Sequence, residues 1–382
     1  MRLGDCCKTN LHTYSDKEKW SLIRYLDTGS ITEGRIDEIQ TLYPGVDKIP
    51  SRARRKASVG DILFSTVRPN QKHYGIIEAG TENLLVSTGF TVVTVDTTIA
   101  DPYFIYYYLT QSSVIESLQA IAEQSTSTYP SIKPSDIEDI ELDLPELETQ
   151  KKIGSTLRML DRKIALNEEI NDNLQQQAAA LFSSLYDRTN TEVRFTDLIQ
   201  ILGGGTPKTG ENTYWNGNIA FFTPKDVGTP YTLITEKTIT EEGLSHCNSR
   251  LYPVNTVFVT ARGTVGKVGM SGVPMAMNQS CYALVGKETH QLLVYFYTLK
   301  AVDRLKHKAS GAVFDAITTR DFESEQIMKL SDDDAKAFLC IAEPMFQKVL
   351  NNCIENLRLS TLRDSLLPKL MSGEVDVSAV QL

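Results

Sequence analysis

The second half of this sequence repeats the first, and this duplication limits the folds that the chain can adopt. From residue 132 to residue 185 the two halves align without a gap, and each residue matches the one 185 positions later. Upstream the offset drifts, but Ile23 still matches Ile219, and the Phe-x-Thr-x-Arg of residues 64–68 matches that of residues 258–262. A period of about 190 residues is too long for a solenoid repeat. We therefore expect two copies of one domain, and a duplicated domain usually binds something twice.

Each copy ends in a segment with the pattern of a long helix. Apolar positions in residues 146–187 recur at alternating spacings of four and three, which is typical of a coiled-coil seam. The second copy begins after Ser331, a suitable helix cap, and its first residues are acidic, as a helix N-terminus favours. Pro368 is expected to end or bend this helix near Leu367.

Two asparagines interrupt the middle of each seam, where apolar residues would stabilise the helices more. Polar residues at such positions commonly fix register and partner. If the two helices pair antiparallel about the seam midpoints, Asn167 lies opposite Asn356 and Asn171 lies opposite Asn352. Each amide then avoids the cost of roughly 1–3 kcal/mol for a buried polar group without a partner. We predict an antiparallel coiled coil whose register these asparagines set, with one domain at each end.

Short strands and helices are predicted before each long helix, so the fold class is α+β. The strand-like segments are residues 61–67, 90–95, 139–145, 256–261, 281–286 and 325–330, with further short pieces at 192–195 and 374–377. Residues 102–122 and 291–308 are predicted to be helical. The predicted limits are 1–145 and 189–330 for two similar mixed α/β domains, 146–188 for the central helix, and 331–382 for the C-terminal helix and tail. We expect the tail to dock beside the first domain in a quasi-circular arrangement.

The composition indicates a protein of the cytoplasm without a membrane segment. No apolar run reaches 18 residues, and the first ten residues do not have the pattern of a signal peptide. The six cysteines show neither CxxC spacing nor a nearby histidine cluster. We therefore expect reduced, structural cysteines and no metal site.

The net charge of -9 is unusual for a protein that binds nucleic acid on its own. Residues 1–145 hold 14 basic and 20 acidic side chains (-6), whereas residues 189–330 hold 14 and 13 (+1). DNA binding would therefore depend on local patches or on a basic partner. The basic clusters are Arg52, Arg54, Arg55 and Lys56, and Lys300, Arg304, Lys306 and Lys308. Taken alone, each cluster is better explained as a solvated face.

No motif in the sequence predicts catalysis. Gly205 and Gly210 have the GxxxxG spacing of a phosphate-binding loop, but Glu211 and Asn212 stand where that loop needs Lys and then Ser or Thr. The glycines of residues 263–269 do not form GxGxxG. No Pro-Pro dipeptide occurs, which excludes the Asx-Pro-Pro-aromatic motif of amino-methyltransferases. The five histidines lie in no HExxH or triad-like context.

Four segments resemble the specificity subunit of type I restriction-modification systems. They are GGGTPKTGENTYWNGNIAFFTPKDV (203–227), ARGTVGKVG (261–269), the central helix, and LRDSLLPKLMSGEVDV near the C-terminus. The resemblance covers essentially the whole chain. It implies two target-recognition domains, each reading one half of a split DNA sequence, and helices that bind two adenine-N6 methyltransferase subunits. Those subunits would carry S-adenosylmethionine, so this chain needs no cofactor, and the resemblance leaves open whether a nuclease and translocase subunit joins them.

Polar side chains in the predicted loops agree with such a role. Reading bases requires paired donors and acceptors, such as Arg or Lys for guanine and Asn or Gln for adenine. For any one loop residue, ordinary solvation is about equally good as an explanation; as a set, they favour DNA binding. The predicted DNA-binding residues are Arg52, Arg54, Arg55, Arg68, Asn70, Gln71, Lys72, Ser127, Thr128, Lys133, Lys208, Thr209, Lys225, Arg262, Thr264, Lys267, Asn278, Gln279 and Ser310.

Two alternative functions remain at this point. The chain could be a non-catalytic paired-domain scaffold that binds only protein, which its acidic charge and coiled coil would suit. It could also be an enzyme that uses the glycine-rich loop on a nucleotide. Salt-sensitive binding to a bipartite duplex would exclude the first, and the absence of stabilisation by nucleotides would exclude the second.

Overall fold

A computed structural model describes residues 1–125, 129–228, 230–308 and 316–377. The chain divides into two compact units: unit 1 is Met1–Lys163 with the segment from Leu359 onward, and unit 2 is Ile164–Arg358. Each unit contains one mixed domain and part of both long helices. The chain therefore passes from one unit to the other only within those helices.

Unit 1 places short strands before its helices. Its strands are β1 (Cys7–Thr9), β2 (Ile23–Leu26), β3 (Ile31–Thr32), β4 (Arg35–Ile36), β5 (Gln40–Leu42), β6 (Ala53–Lys56), β7 (Ile62–Ser65), β8 (Tyr74–Ile76), β9 (Leu84–Ser87) and β10 (Phe90–Val95). Its helices are α1 (Pro102–Leu109), α2 (Ser112–Glu123), α3 (Pro134–Glu138) and the first part of α4 (Leu147–Tyr186). Short 3-10 turns occur at Leu3–Asp5, Asp16–Glu18, Thr28–Ser30 and Pro69–Gln71.

Unit 2 also has most of its strands before its long helices, but the short helices α5 and α6 lie among the strands and β20 follows α7 and α8. Its strands are β11 (Glu192–Arg194), β12 (Ile199–Gly203), β13 (Trp215–Phe222), β14 (Tyr231–Thr232), β15 (Lys237–Ile239), β16 (Val257–Thr260), β17 (Val268–Ser271), β18 (Met275–Met277), β19 (Cys281–Gly286) and β20 (Gln326–Met328). Its helices are α5 (Phe195–Leu198), α6 (Glu241–Ser245), α7 (Gln291–Lys308), α8 (Thr319–Ser324) and most of α9 (Asp332–Met371), with a 3-10 turn at Asn212–Tyr214.

The sheets show that the sequence repeat is a repeat of topology. Unit 1 has sheets in the orders β1-β10-β7-β8 and β5-β2-β9-β6 and a hairpin of β3 and β4. Unit 2 has sheets in the orders β12-β19-β16-β17-β14 and β15-β13-β18 and a pair of β11 and β20. Four strands of the first sheet named for each unit correspond in order, and each second sheet contains one parallel pair, β2 with β9 and β13 with β18. These sheets differ by one added strand in each unit, β6 beside β9 in unit 1 and β14 beside β17 in unit 2, and the two-stranded pairs also differ.

The predicted match between residues 64–68 and 258–262 is wrong by one residue. Ile62 of β7 and Val257 of β16 are equivalent, because each packs against the helices of its unit. Phe64 shares the face of Ile62, whereas Phe258 lies in a core cluster on the opposite face of its strand. Since alternate residues of a strand point to opposite faces, Phe64 corresponds to Val259. The similar Phe-x-Thr-x-Arg letters therefore do not mark equivalent side chains.

The corrected match makes Arg262 equivalent to Val67 rather than to Arg68. Val67 forms an isolated bridge with Ser131, and Arg262 forms one with Ala316. These two partners are 185 positions apart, the offset of the gapless repeat. The two arginines thus occupy neighbouring, not identical, places in their domains.

The match between Ile23 and Ile219 is confirmed. Tyr25 of β2 lies opposite the second residue of β9, and Phe221 of β13 lies opposite the second residue of β18. Counting back two residues in each strand gives Ile23 and Ile219, which both face the outer side of the second sheet of their unit.

The long helices begin and end where the repeat predicts. α4 and α9 each have 40 residues, and both their first and their last residues are 185 positions apart. Ser331 is a cap, since its Oγ accepts a hydrogen bond of 3.1 Å from the backbone N of Asp334. Of the two expectations for Pro368, an end of α9 near Leu367 is wrong, because the helix continues to Met371, and a bend there stays a prediction. A proline in the last turn removes only one backbone donor, and the burial of Leu370 in the unit 1 core offsets that loss.

Three other sequence predictions need correction. Residues 102–122 form two helices, α1 and α2, rather than one. Residues 139–145 do not form a strand; only Glu141 makes an isolated bridge, with Arg2. Residues 374–377 are not a strand either, but Val377 is buried in the same core as Leu3. Docking of this part of the tail beside the first domain is therefore confirmed, through apolar packing instead of strand pairing.

Candidate nucleic-acid interface

Six strand ends of unit 2 meet at one edge of its two sheets. β12, β13, β16 and β18 end there, and β17 and β19 begin there, as their pairing requires. The backbone N of Asn278 donates to Phe222 O at 3.0 Å, which continues the pairing of β13 with β18, and residues 278–280 then lead from β18 to β19 of the other sheet. We call the loops 203–209, 223–226, 261–267 and 278–280 the unit 2 edge. It carries the predicted residues Lys208, Thr209, Lys225, Arg262, Thr264, Lys267, Asn278 and Gln279, all exposed except the half-buried Asn278.

Packing explains the glycines of the 203–209 loop. A Cβ on Gly204 would lie 2.2 Å from the carbonyl oxygen of Asn278, and one on Gly205 would lie 2.6 Å from the backbone N of Asn248. Beside them, Thr206 Oγ1 donates to Gln279 Oε1. The glycines therefore allow this loop to lie directly against residues 278–280, which is a different role from cradling phosphate.

Trp215 holds the same loop from its other side. The indole Nε1 donates to the carbonyl oxygen of Lys208 at 3.1 Å. The ring meets Phe221 edge to face, with ring centroids 5.5 Å apart, and Lys237 Nζ lies 5.7 Å from the Trp215 ring. Sequence reasoning missed Trp215 and the exposed Lys237, because only the pairing of β13 with β15 brings them to this loop.

The 223–226 loop is built around one carboxylate. Asp226 Oδ2 accepts from the backbone N and the hydroxyl of Thr223 at 2.8 and 2.6 Å, and Asp226 Oδ1 accepts from the backbone N of Glu236 at 2.7 Å. Thr264 Oγ1 donates to Pro224 O at 3.2 Å and so links this loop to the next. Lys225 pairs with Glu236 at 3.5 Å, an exposed contact that is worth little and leaves the cation accessible.

Unit 1 has the corresponding edge, formed where β1, β2, β7 and β9 end and β8 and β10 begin. We call the loops 10–13, 27–30, 66–73 and 88–89 with residues 129–133 the unit 1 edge. The exposed predicted residues here are Arg68, Asn70, Gln71, Lys72 and Lys133. Arg68 has a positive φ of 49°, and its guanidinium lies 5.2 Å from the ring of Tyr129. Lys72 pairs with Glu33 at 2.5 Å.

The basic cluster on β6 is divided by the fold. Arg52 is exposed beside the end of β9, and its carbonyl accepts from Thr88 N at 2.9 Å. Arg54 is half-buried. Arg55 donates to Asn10 Oδ1 and to Phe90 O, and burial lowers its pKa. Arg55 therefore supports the unit 1 edge from inside, which is a different role from the predicted contact with DNA.

The second basic cluster is also divided. The carboxylate of Glu325, which is fully buried, pairs with Arg304 at 2.9 Å and with Lys308. Lys300 Nζ lies 5.3 Å from the ring of Tyr186. Lys306 alone packs beside Gly266, at the unit 2 edge. Three of these four cations thus have contacts inside the unit. The predicted residues Ser127, Thr128 and Ser310 lie outside the described residues.

The four asparagines form the predicted pairs within unit 2. Asn167 Nδ2 donates to Asn356 Oδ1 at 2.8 Å, and Asn352 Nδ2 donates to Asn171 Oδ1 at 2.8 Å. From Asn167 to Asn171 the residue numbers rise along α4, while those of their partners fall from 356 to 352 along α9. The two helices are therefore antiparallel here. In unit 1, Arg363 of α9 pairs with Asp161 of α4 at 2.6 Å. Burial by itself would lower the pKa of Arg363, but the carboxylates of Asp161 and Asp364 raise it.

The described residues offer little to a metal or a membrane. Within them, no three His, Cys, Asp or Glu side chains are grouped to hold a metal ion. No helix in the described ranges has the length and apolarity needed to cross a bilayer. Burial raises the pKa of Cys281 to about 12, which keeps this thiol neutral inside the unit 2 core.

Two similar mixed domains, each with polar loops gathered at one sheet edge, and two paired long helices define a two-domain DNA-recognition protein. The family model described as "Type I restriction modification DNA specificity domain" matches residues 48–176 and 188–329. The chain belongs to this family, and it is a non-catalytic, sequence-specific DNA-recognition subunit. The alternative of a scaffold that binds only protein is not favoured by this membership.

Relatives and solved structures agree with the assignment. The chain is 24% identical to the type I restriction enzyme HindI specificity subunit of Haemophilus influenzae, with 98% of both chains covered. It is 32% identical to the EcoR124I/EcoR124II specificity subunit of Escherichia coli over 37% of each chain. It resembles the crystal structure of the type I restriction-modification S subunit from M. genitalium with a TM-score of 0.60 and 16% identity, covering 97% of this chain and 95% of the other. This last similarity shows the shared fold.

Proposed function

We propose that each unit reads one half of a bipartite DNA sequence through its edge. The observation that carries this proposal is the duplication of the edge: in both units, the corresponding strand ends gather loops with exposed arginine, lysine and glutamine side chains. Side chains of these types have the donor and acceptor pairs that distinguish bases in the major groove. A duplicated reader requires a target in two parts.

The roles within each edge follow from how each side chain is held. Arg68, stacked on Tyr129, and Arg262, exposed beside the 264–224 contact, are the best candidates for reading guanine. Asn70, Gln71 and Gln279 suit adenine. The exposed cations Arg52, Lys133, Lys208, Lys225 and Lys267 suit phosphate, which positions the protein without specifying sequence.

The charge of the chain supports dependence on partner subunits. With a net charge of -9, the isolated chain is expected to bind DNA weakly, because phosphate neutralisation supplies most non-specific affinity. We infer that two methyltransferase subunits dock on the paired helices, supply most of this neutralisation, and carry S-adenosylmethionine. The assembly would act in the cytoplasm, and a restriction and translocase subunit could join it. Log affinity plotted against log salt should be much steeper for the complex than for the chain alone; equal slopes would contradict this.

The asparagine pairs are proposed to set the distance between the two half-sites. The seam from Ile153 to Leu185 is about 48 Å long at ~1.5 Å per residue, comparable to about 14 base pairs at ~3.4 Å each. Inserting four residues near Leu174, and four at the facing position of α9, should lengthen the preferred gap by about one turn, ~5.4 Å, or one to two base pairs. Both half-sites should stay the same. A preferred gap that does not move would contradict a ruler role.

A domain exchange tests whether each unit reads its half-site independently of the other. Residues 195–330 are replaced by the equivalent domain of a relative, and the methylated adenines are sequenced in cells that contain the chain and its partner methyltransferase. One half of the recognised sequence should change while the other stays. A change in both halves would show that the units are not independent readers.

A further inference from the structure

We infer that Trp215 is a specificity-positioning residue of unit 2, acting through its indole N–H on the loop that carries Lys208 and Thr209. This inference rests on the proposed function of the unit 2 edge. Trp215 is not itself placed to read DNA: its ring is half-buried against Phe221, and its one polar atom points at the Lys208 carbonyl, 3.1 Å away.

The hydrogen bond joins the middle of the loop to a strand of the sheet. Gly204 and Gly205 fix the beginning of the loop against Asn278 and Asn248, and Thr206 binds Gln279. After Thr206 the chain runs to Gly210, at which a Cβ would meet nothing within 4 Å. The Lys208 carbonyl also accepts from the backbone N of Glu211 at 3.2 Å, a bond within the loop itself. The Trp215 bond ties the same carbonyl to β13, next to the exposed side chains of Lys208 and Thr209. Discrimination between bases needs such side chains to be held within fractions of an ångström.

The other tryptophan of the chain provides a matched comparison. The sequence contains two tryptophans, and Trp20 also lies on the outer face of the second sheet of its unit, with Lys56 Nζ 5.1 Å from its ring. Its ring is tilted against that of Tyr14, with ring centroids 4.7 Å apart, and it precedes β2, the strand whose other end lies at the unit 1 edge. Trp20 therefore shares the ring environment of Trp215 but not its position beside a reading loop.

The experiment compares Trp215→Phe with Trp20→Phe in the complex with the methyltransferase subunits. Phenylalanine keeps an aromatic ring against the sheet and removes the N–H donor. Methylation rates are measured on duplexes with each base of either half-site changed singly. In Trp215→Phe, discrimination at one or more positions of the half-site read by unit 2 should fall about fivefold, the value of one net hydrogen bond, while the other half-site and the salt dependence stay the same. Trp20→Phe should leave discrimination at both half-sites unchanged.

Two outcomes would overturn the inference. One is an equal loss of rate on all duplexes together with a lower melting temperature, which would make Trp215 merely structural. The other is unchanged discrimination in Trp215→Phe.

The exchange of residues 195–330 separates these outcomes from failure of the proposed function. If the exchange changes one half-site and Trp215→Phe changes nothing, only this inference fails; if the exchange changes neither half-site, the proposed function fails. Should Trp215→Phe not fold, the Trp20→Phe chain has Trp215 as its one indole fluorophore. Its emission should then shift on the cognate duplex and not on a duplex with the unit 2 half-site scrambled. Identical shifts on both duplexes would contradict the inference.

Discussion

The two edges lie at the ends of corresponding strands, but different contacts hold their loops in place. At the unit 2 edge, backbone packing at Gly204, the Thr206 contact and the Trp215 indole hold one loop along its length. At the unit 1 edge, the half-buried guanidinium of Arg55 joins the 10–13 loop to the start of β10. Strands β1-β10-β7-β8 of unit 1 and β12-β19-β16-β17 of unit 2 have the same order, whereas the contacts that support the loops differ. A DNA-recognition protein can thus keep one sheet scaffold and change its sequence specificity by changing the loops.

The largest effect is expected from Gly204→Ala. The new Cβ would lie 2.2 Å from a backbone oxygen, which cannot rotate away as a side chain can. Overpacking of this kind should cost about 3 kcal/mol of folding stability and abolish discrimination at the unit 2 half-site. Denaturant unfolding and methylation of bipartite duplexes measure the two effects. Gly210→Ala is the control, since its Cβ would meet nothing within 4 Å; equal losses in both variants would disprove the packing account.

Arg262→Ala and Arg68→Ala should each relax one base position by about 2 kcal/mol, in opposite half-sites. Since Arg262 is equivalent to Val67 and not to Arg68, the affected positions should not be symmetry-related within the two half-sites. Binding to a set of singly substituted duplexes tests this. Uniform weakening on all duplexes would show that the arginine contacts phosphate.

Arg55→Ala should cost about 1.5 kcal/mol of stability, because it removes charged hydrogen bonds to Asn10 and the Phe90 carbonyl. Arg52→Ala, its exposed neighbour, should leave stability within ~0.5 kcal/mol and reduce the salt slope of DNA binding by about one. Comparing the two variants distinguishes an arginine that supports the edge from one that contacts DNA. Thermal unfolding and salt titrations of both variants are the measurements, and a reversed pattern would exchange the two roles.

The smallest effect on stability is expected from Lys225→Ala. Its ion pair with Glu236 is long and solvent-exposed, so its loss should change the free energy of unfolding by less than ~0.5 kcal/mol. DNA binding should weaken equally on all duplexes if Lys225 meets phosphate. Glu236→Gln is the control, because it breaks the same pair and leaves the cation; weakened DNA binding in this variant too would argue against a phosphate contact.

The sequence by itself determined the elements whose pattern is local and regular. The 4-3 spacing over residues 146–187 predicted both ends of α4 to within one residue, and antiparallel pairing about the seam midpoints predicted the asparagine pairs correctly. Buried strands such as β10 and β19 were visible as apolar runs. These features depend on periodic burial, and the spacing of apolar residues within each segment is enough to predict it.

Only the tertiary structure decided what the loops and strand faces do. Residues 64–68 and 258–262 look alike, yet strand pairing shifts them by one residue and so reverses the faces of their side chains. Arg52 and Arg55 look alike in sequence, but Arg52 is exposed, whereas Arg55 is half-buried and donates to Asn10. Trp215 meets Lys208 because a strand and a loop converge from separate parts of the sheet. Register and contacts between distant segments depend on pairing partners that a segment does not carry in its own sequence.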